Sequence, residues 1–455
     1  MGLKNYPGSA FVLLMFDFLS YLIILNAING RTSLFDNFIA FYLTMGFFIK
    51  LNILSYLGGD YFKILTSLST QHEVTPEILD KALIASCISF AGILATSLFF
   101  RNKFILLADK IVFSAATYKI YLKHRKNIIL FFILSILILS ISNFFFGIYT
   151  KGGISSYNPS IQLFYKYFLS FGFTFFILHI LHFELHKKKS FPVLFSSLIF
   201  FENMLSSTSQ YSRAMILTSL SILLGIYKHC KIKKLSLDIK AFSLIVCMIF
   251  LFFITSFYVV TSKRNIEFLD ADFNSQFITT PENLVKTSHS TFIEKWTKGM
   301  LIERWVGIEG IIAVSSSPKL SWDFFKLSLS EKNIRGLSFY DANFIKSAYV
   351  DVDFTKKQFV TLPGFIAYFF YSGSFFFLFL LVSFSMAVGY LIEYFSIYIT
   401  SENYVIVAFT SNLIAYRWIH FGYMPLNTIQ YFISIVATLL LYYYFFKWTL
   451  YKCKF

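Results

Sequence analysis

Hydrophobic positions along the chain gather into long runs separated by short polar connections. A membrane-spanning helix needs about 20 mainly apolar residues. About eleven runs fit: residues 10–28, 36–57, 82–100, 128–149, 161–183, 190–207, 213–227, 241–261, 363–398, 403–421 and 427–448. The sixth and seventh lie close enough together to form a helical hairpin. The ninth is long for one crossing, and Gly364 and Gly373 offer places to split it into a short dipping segment and a true span. One interval breaks the rhythm. Residues 262–360 hold no run long enough to cross a bilayer, and they carry 13 Lys/Arg against 12 Asp/Glu. The apolar spacing over 292–314 predicts a helix within this stretch, and Pro281 and Pro318 punctuate it. The pattern therefore predicts an all-α polytopic membrane protein. Its divisions are residues 1–261 with eight spans, 262–362 as one large loop, and 363–455 with three more spans.

Composition agrees. The chain has 455 residues, 56% of them hydrophobic, with a mean hydropathy of +0.64, and only 14% are charged. Soluble domains carry about 25% charged residues. In a soluble protein a net charge of +16 would suggest nucleic acid. Here the excess sits in short connections between apolar runs, and the positive-inside pattern explains it better; no nucleic-acid partner is expected. Cys87, Cys230, Cys247 and Cys453 form no spaced pair, so neither a disulfide framework nor a zinc signature is present. No cleavable signal is evident, and the first apolar run reads as retained.

Lys and Arg fix the orientation. They crowd the connection 101–127 (Arg101, Lys103, Lys110, Lys119, Lys123, Arg125, Lys126), then Lys187–Lys189, then 228–240, then the tail with Lys447, Lys452 and Lys454. With eleven crossings all four regions fall on one side, which the positive-inside rule makes the cytoplasm. The N-terminus and the large loop are then outside, and the C-terminus is inside.

Several polar residues stand out on that outer side. Arg213 opens the seventh run after a Ser/Thr-rich connection, where free helix N–H groups and a guanidinium together suit phosphate. Arg417 and His420 lie near the outer end of the tenth run, three residues apart on one helix face. The loop adds Arg264, Arg304, Glu309, Arg335 and Asp341, and its one histidine, His289. Several arginines on one face could converge on a dianion. The pairs Asp270/Asp272 and Asp351/Asp353 match the D-x-D pattern of metal-dependent glycosyl transfer, a pattern short enough to arise by chance. Asp17, Lys50, Lys166, His179, His182 and Glu202 fall within or near spans, where they would serve an ion-coupled carrier or pair with one another.

Taken together, these features resemble the O-antigen polymerase (Wzy) family. The carrying residues are Ser212-Arg213-Ala214, Arg304 followed by Glu309, Arg335 ahead of Asp341-Ala-Asn343-Phe, Leu362-Pro-Gly-Phe-Ile with Tyr371-Ser-Gly-Ser, and Arg417. The resemblance covers nearly the whole chain. It implies a GT-C-like inverting glycosyltransferase of the bacterial inner membrane, with the large loop between spans 8 and 9 in the periplasm. Such an enzyme joins oligosaccharide repeat units carried on undecaprenyl pyrophosphate, which is both donor and acceptor carrier. A chain-length regulator and a flippase would be its partners. No cofactor or metal is implied. Arg213, Arg335, Arg417 and Arg264 would bind pyrophosphate, and Arg304 and Glu309 would form the catalytic pair. Glu309 is the first choice of base, with His289, Asp341 and His420 as substitutes. Two alternatives stay open. An O-antigen ligase shares the layout but typically shows a histidine motif in its loop, where this chain has only Ser-His289-Ser. A lipid-linked oligosaccharide flippase usually has short loops and two similar halves.

Overall fold

The computed structural model of the protein describes residues 6–28, 33–57, 70–101, 115–151, 155–187, 193–212, 215–232, 239–269, 305–331, 336–346, 360–400 and 403–452. These are predominantly helical, with no strand among the described residues. In chain order the helices are α1 (Ala10–Ile28), α2 (Leu34–Leu43), α3 (Lys50–Leu57), α4 (Pro76–Arg101), α5 (Ala115–Phe146), α6 (Pro159–Tyr167), α7 (Phe173–Lys187), α8 (Val193–Ser209), α9 (Met215–Ile232) and α10 (Ile239–Leu269). They continue with α11 (Ile308–Ser315), α12 (Trp322–Leu329), α13 (Phe339–Asn343), α14 (Phe365–Phe369), α15 (Phe375–Ile399), α16 (Tyr404–Ile419) and α17 (Pro425–Lys452). A π-helical segment, Thr44–Ile49, joins α2 to α3, and another, Phe168–Gly172, joins α6 to α7.

Every apolar run read from the sequence has a helical counterpart. Among the described residues, seven helices are long and apolar enough to cross a membrane, as in a polytopic membrane protein. They are Ala10–Ile28, Leu34–Ser55, Pro76–Phe100, Lys119–Phe146, Pro159–Leu181, Phe242–Val260 and Phe375–Ile399. The faces of α1 show why water is a poor solvent for them. Leu13, Phe16 and Ile23 are buried, yet Phe11, Leu14, Phe18 and Tyr21 on the other face are exposed and just as apolar. A helix that is hydrophobic all round is stable only in a core or in lipid.

The ninth run does split where its glycines stand. α14 follows Gly364 (φ +84°), a 3₁₀ turn ends at Gly373 (φ +71°), and α15 then runs on as the true span. Both glycines occupy the left-handed region, which a Cβ disfavours. One expectation needs correction: α10 does not stop at 261 but continues to Leu269. Of the stretch 292–314, residues 292–304 lie outside the described residues, 305–307 are non-helical, and the helix found there, α11, starts at Ile308. Gly307, just ahead of α11, has an extended φ and lies so close to Gly46 of the π segment that a Cβ on it would collide with the Gly46 carbonyl.

The chain forms two compact units, which cut across the sequence divisions. The first contains Met1–Lys110, Thr291–Tyr398 and Thr410–Ala437; the second contains Ile111–Ser290, Ile399–Phe409 and Thr438–Phe455. In the first, α1 packs along α4, with Phe16 and Phe90 in ring contact at 5.5 Å. Asp80 of α4 accepts the Ser9 N–H at 2.9 Å and caps α1, and Glu393 of α15 accepts the Leu34 N–H at 2.7 Å and caps α2. In the second, α8 packs on α5, α7 and α10.

Candidate functional site

The described part of the large polar stretch beyond α10, residues 305–331, 336–346 and 360, folds onto the helices of the first unit. α11 buries Ile308, Ile311 and Val314 and packs against α4 and α14. Gly310 lies against the Pro363 carbonyl with no room for a side chain. α12 is capped by Ser321, whose hydroxyl accepts the Phe324 N–H at 3.2 Å, and its Trp322 and Phe325 pack on Phe377 at 4.7 and 5.2 Å. Phe344, at the end of α13, stacks on Tyr371 at 4.6 Å, and its carbonyl accepts the Gln71 N–H at 3.0 Å.

This packing positions Glu309. It stands in the first turn of α11, where the helix dipole favours a negative charge. Its Oε1 forms an ion pair with Lys50 Nζ. Lys50 is the first residue of α3 and only 4% exposed, and the same ammonium donates to the Trp305 carbonyl at 2.8 Å. Glu309 itself is 31% exposed. Its Oε2 is nevertheless buried and has no hydrogen-bond partner among the described residues.

Asp341 lies close by in the same unit. It is 1% exposed, takes a hydrogen bond from the Ser338 hydroxyl at 2.5 Å, and accepts the Thr361 N–H at 3.2 Å. Tyr340 senses both acids. Burial first, then the charges of Glu309 and Asp341, hold its phenol well above the ordinary tyrosine range. Glu331 is the staple of this region, with one oxygen accepting the Phe339 N–H at 2.6 Å and the other the Met424 N–H at 3.1 Å. Burial pushes its carboxyl above the usual carboxylate range against those two hydrogen bonds, and Asp341 adds to the push.

Arg417 and His420 reach the same unit through aromatic rings. The Arg417 guanidinium lies over Tyr431, 5.7 Å from the ring centre. The His420 ring stacks on Tyr416 at 4.0 Å, and its Nδ1 is 2.9 Å from the Tyr416 carbonyl. Tyr416 in turn contacts Tyr42, and Tyr42 contacts Trp305, the residue whose carbonyl Lys50 holds. The helix end thus connects with the Glu309 region by a continuous run of rings.

The remaining candidates fall elsewhere. Arg304, Arg335, Arg213, His289 and both D-x-D pairs lie outside the described residues. Arg264 sits within α10, with its side chain also outside them. In the second unit, the connection leading to Arg213 is dense in hydrogen bonds. Gln210 donates to the Leu169 carbonyl at 2.7 Å, Asn143 to the Ser209 carbonyl at 2.7 Å, and Lys151 to the Ser212 hydroxyl at 2.9 Å. Lys50 is the partner of Glu309 that sequence reasoning could not assign. Its one signal was a lysine inside an apolar run, which had to find an anion or a carbonyl. Comparison with protein-family models, curated proteins and solved structures found no match to this chain.

Proposed function

We propose that the protein is an O-antigen polymerase of GT-C-like architecture, with eleven spans and a periplasmic loop that carries the reacting groups. The observation that supports this most directly is Glu309. A residue of the long polar stretch is drawn onto a buried lysine of the second apolar run, with one carboxylate oxygen held and the other without a partner among the described residues. In this reading the Glu309 carboxylate takes the proton from the acceptor sugar hydroxyl on a lipid-linked repeat unit. The hydroxyl oxygen attacks the anomeric carbon of the growing chain, the bond from that carbon to the diphosphate oxygen breaks, and undecaprenyl pyrophosphate leaves with the electron pair. Attack opposite the leaving group inverts the anomeric centre. Arginines would stabilise the charge that grows on the departing diphosphate, with Arg417 held ready over Tyr431.

The test is extension of lipid-linked repeat units by purified protein. Glu309→Gln keeps the size and a hydrogen-bonding group but cannot accept the proton. General-base assistance is worth about 10²–10⁴-fold in rate, so E309Q should bind substrate and extend it at least ~100-fold more slowly. Near-normal extension would remove Glu309 as the base and turn attention to Asp341 and His289. Product length also separates the related activity: transfer of whole chains to lipid A core, with no extension of repeat units, would mark a ligase.

A further inference from the structure

We infer that Lys50 is the positioning residue of Glu309, fixing the orientation of its carboxylate through Oε1 ahead of proton transfer from the acceptor hydroxyl; this rests on the reading of Glu309 as the base. Lys50 Nζ contacts two acceptors that flank the start of α11, the Trp305 carbonyl at 2.8 Å and Glu309 Oε1. Between them lies Gly307, whose backbone rests on Gly46 of the π segment immediately before Lys50. Residues 305–309 are therefore held twice by one short piece of the second apolar run, through backbone contact at Gly46 and through charge at Lys50. Gly310 packs in turn against the Pro363 carbonyl.

A carboxylate is planar. Once its Cα and one oxygen are fixed, the other oxygen keeps little freedom, which is the preorganisation a proton-transfer step needs. Stability gives a poorer account of the pair. Removing two charges from water costs about as much as their attraction returns, and apolar replacements of such pairs are often neutral or better. The π segment adds to the case, since a π turn in a helix costs hydrogen-bond geometry and is frequent at functional sites. Here it supplies Gly46 and ends at Lys50.

The experiment uses the full-length purified protein and lipid-linked repeat units, with four variants. In Lys50→Met, which keeps the length and loses the charge, kcat should fall roughly 10–100-fold, the order expected of a misplaced catalytic group, while acceptor KM stays nearly constant. Lys50→Gln still offers an N–H to Glu309 and should lie between K50M and the native protein. K50Q also decides the matter if K50M does not fold. In Lys50→Met with Glu309→Gln, activity should be no lower than in E309Q alone, because Lys50 acts only through Glu309. Full activity in K50M or K50Q, a KM effect in place of a kcat effect, or additive losses in the double variant would each overturn the role of Lys50. E309Q separates the two claims. If it is slow while K50M is normal, Lys50 fails alone; if it is itself normal, the assignment of Glu309 fails first.

Discussion

At the level of single residues, the chemistry rests on side chains whose partners come from far along the chain. Glu309 was recognisable as an acid near arginines, but its observed partner is Lys50, from the second apolar run. Nothing in the spacing of either residue announces that pairing, because a lysine within an apolar run will accept any anion or carbonyl that packing brings to it. Asp341 was legible as a candidate, yet it is almost fully enclosed and already takes hydrogen bonds from Ser338 and Thr361. Asp341→Asn should therefore act first on the fold of α13 and the 361 backbone. We expect a lower Tm in detergent together with reduced extension. Arg417→Lys keeps the charge but loses the planar fork and its stacking on Tyr431. If Arg417 binds the donor diphosphate, R417K should extend chains roughly 10–100-fold more slowly, the value of a charged hydrogen bond. Native chain lengths with R417K would take Arg417 out of the site.

At the level of elements, the apolar periodicity located each helix but not the way helices end or join. α14 and α15 were separable in advance because Gly364 and Gly373 mark the breaks, and both adopt positive φ. The break ahead of α11 was not, because Gly307 has an extended backbone that any residue can adopt. It is glycine for a different reason, the close approach of Gly46, and a contact between residues 261 positions apart (307 − 46) leaves no trace in local sequence. Gly307→Ala should consequently be costly. Forcing a methyl group into a filled space typically costs ~1–3 kcal/mol, and here the obstacle is backbone. We expect a clear drop in Tm of the detergent-solubilised protein and a loss of activity that follows the loss of Glu309 placement. A native-like Tm for G307A would show that the two backbones can part at little cost.

At the level of the whole molecule, the sidedness of the chain follows from counting crossings. Lys123 and Lys188 are separated by two helices long enough to span, within Lys119–Phe146 and Pro159–Leu181, so both should lie on one side. Between Lys188 and Lys298 come α8, α9 and the span Phe242–Val260. The number of crossings is odd whether the α8–α9 pair enters as a hairpin or not at all, so Lys298 should lie on the other side. Cysteines introduced at 123, 188 and 298 and labelled with a membrane-impermeant reagent test this: 298 should react from outside and the other two should not. Labelling at 123 with protection at 298 would invert the scheme and place Glu309 on the side away from the proposed substrate. The sequence by itself determined that the chain is helical and apolar enough for a membrane, because hydrocarbon length and backbone hydrogen bonding leave so few solutions. It also marked Glu309, Asp341 and Arg417 as the polar residues to watch. Only the tertiary structure decided that α11 to α13 of the polar stretch pack into the first unit, and that Glu309 is held there by Lys50. Those are contacts between distant parts of the chain, chosen by the fit of buried surfaces and by the need of a buried charge for a partner.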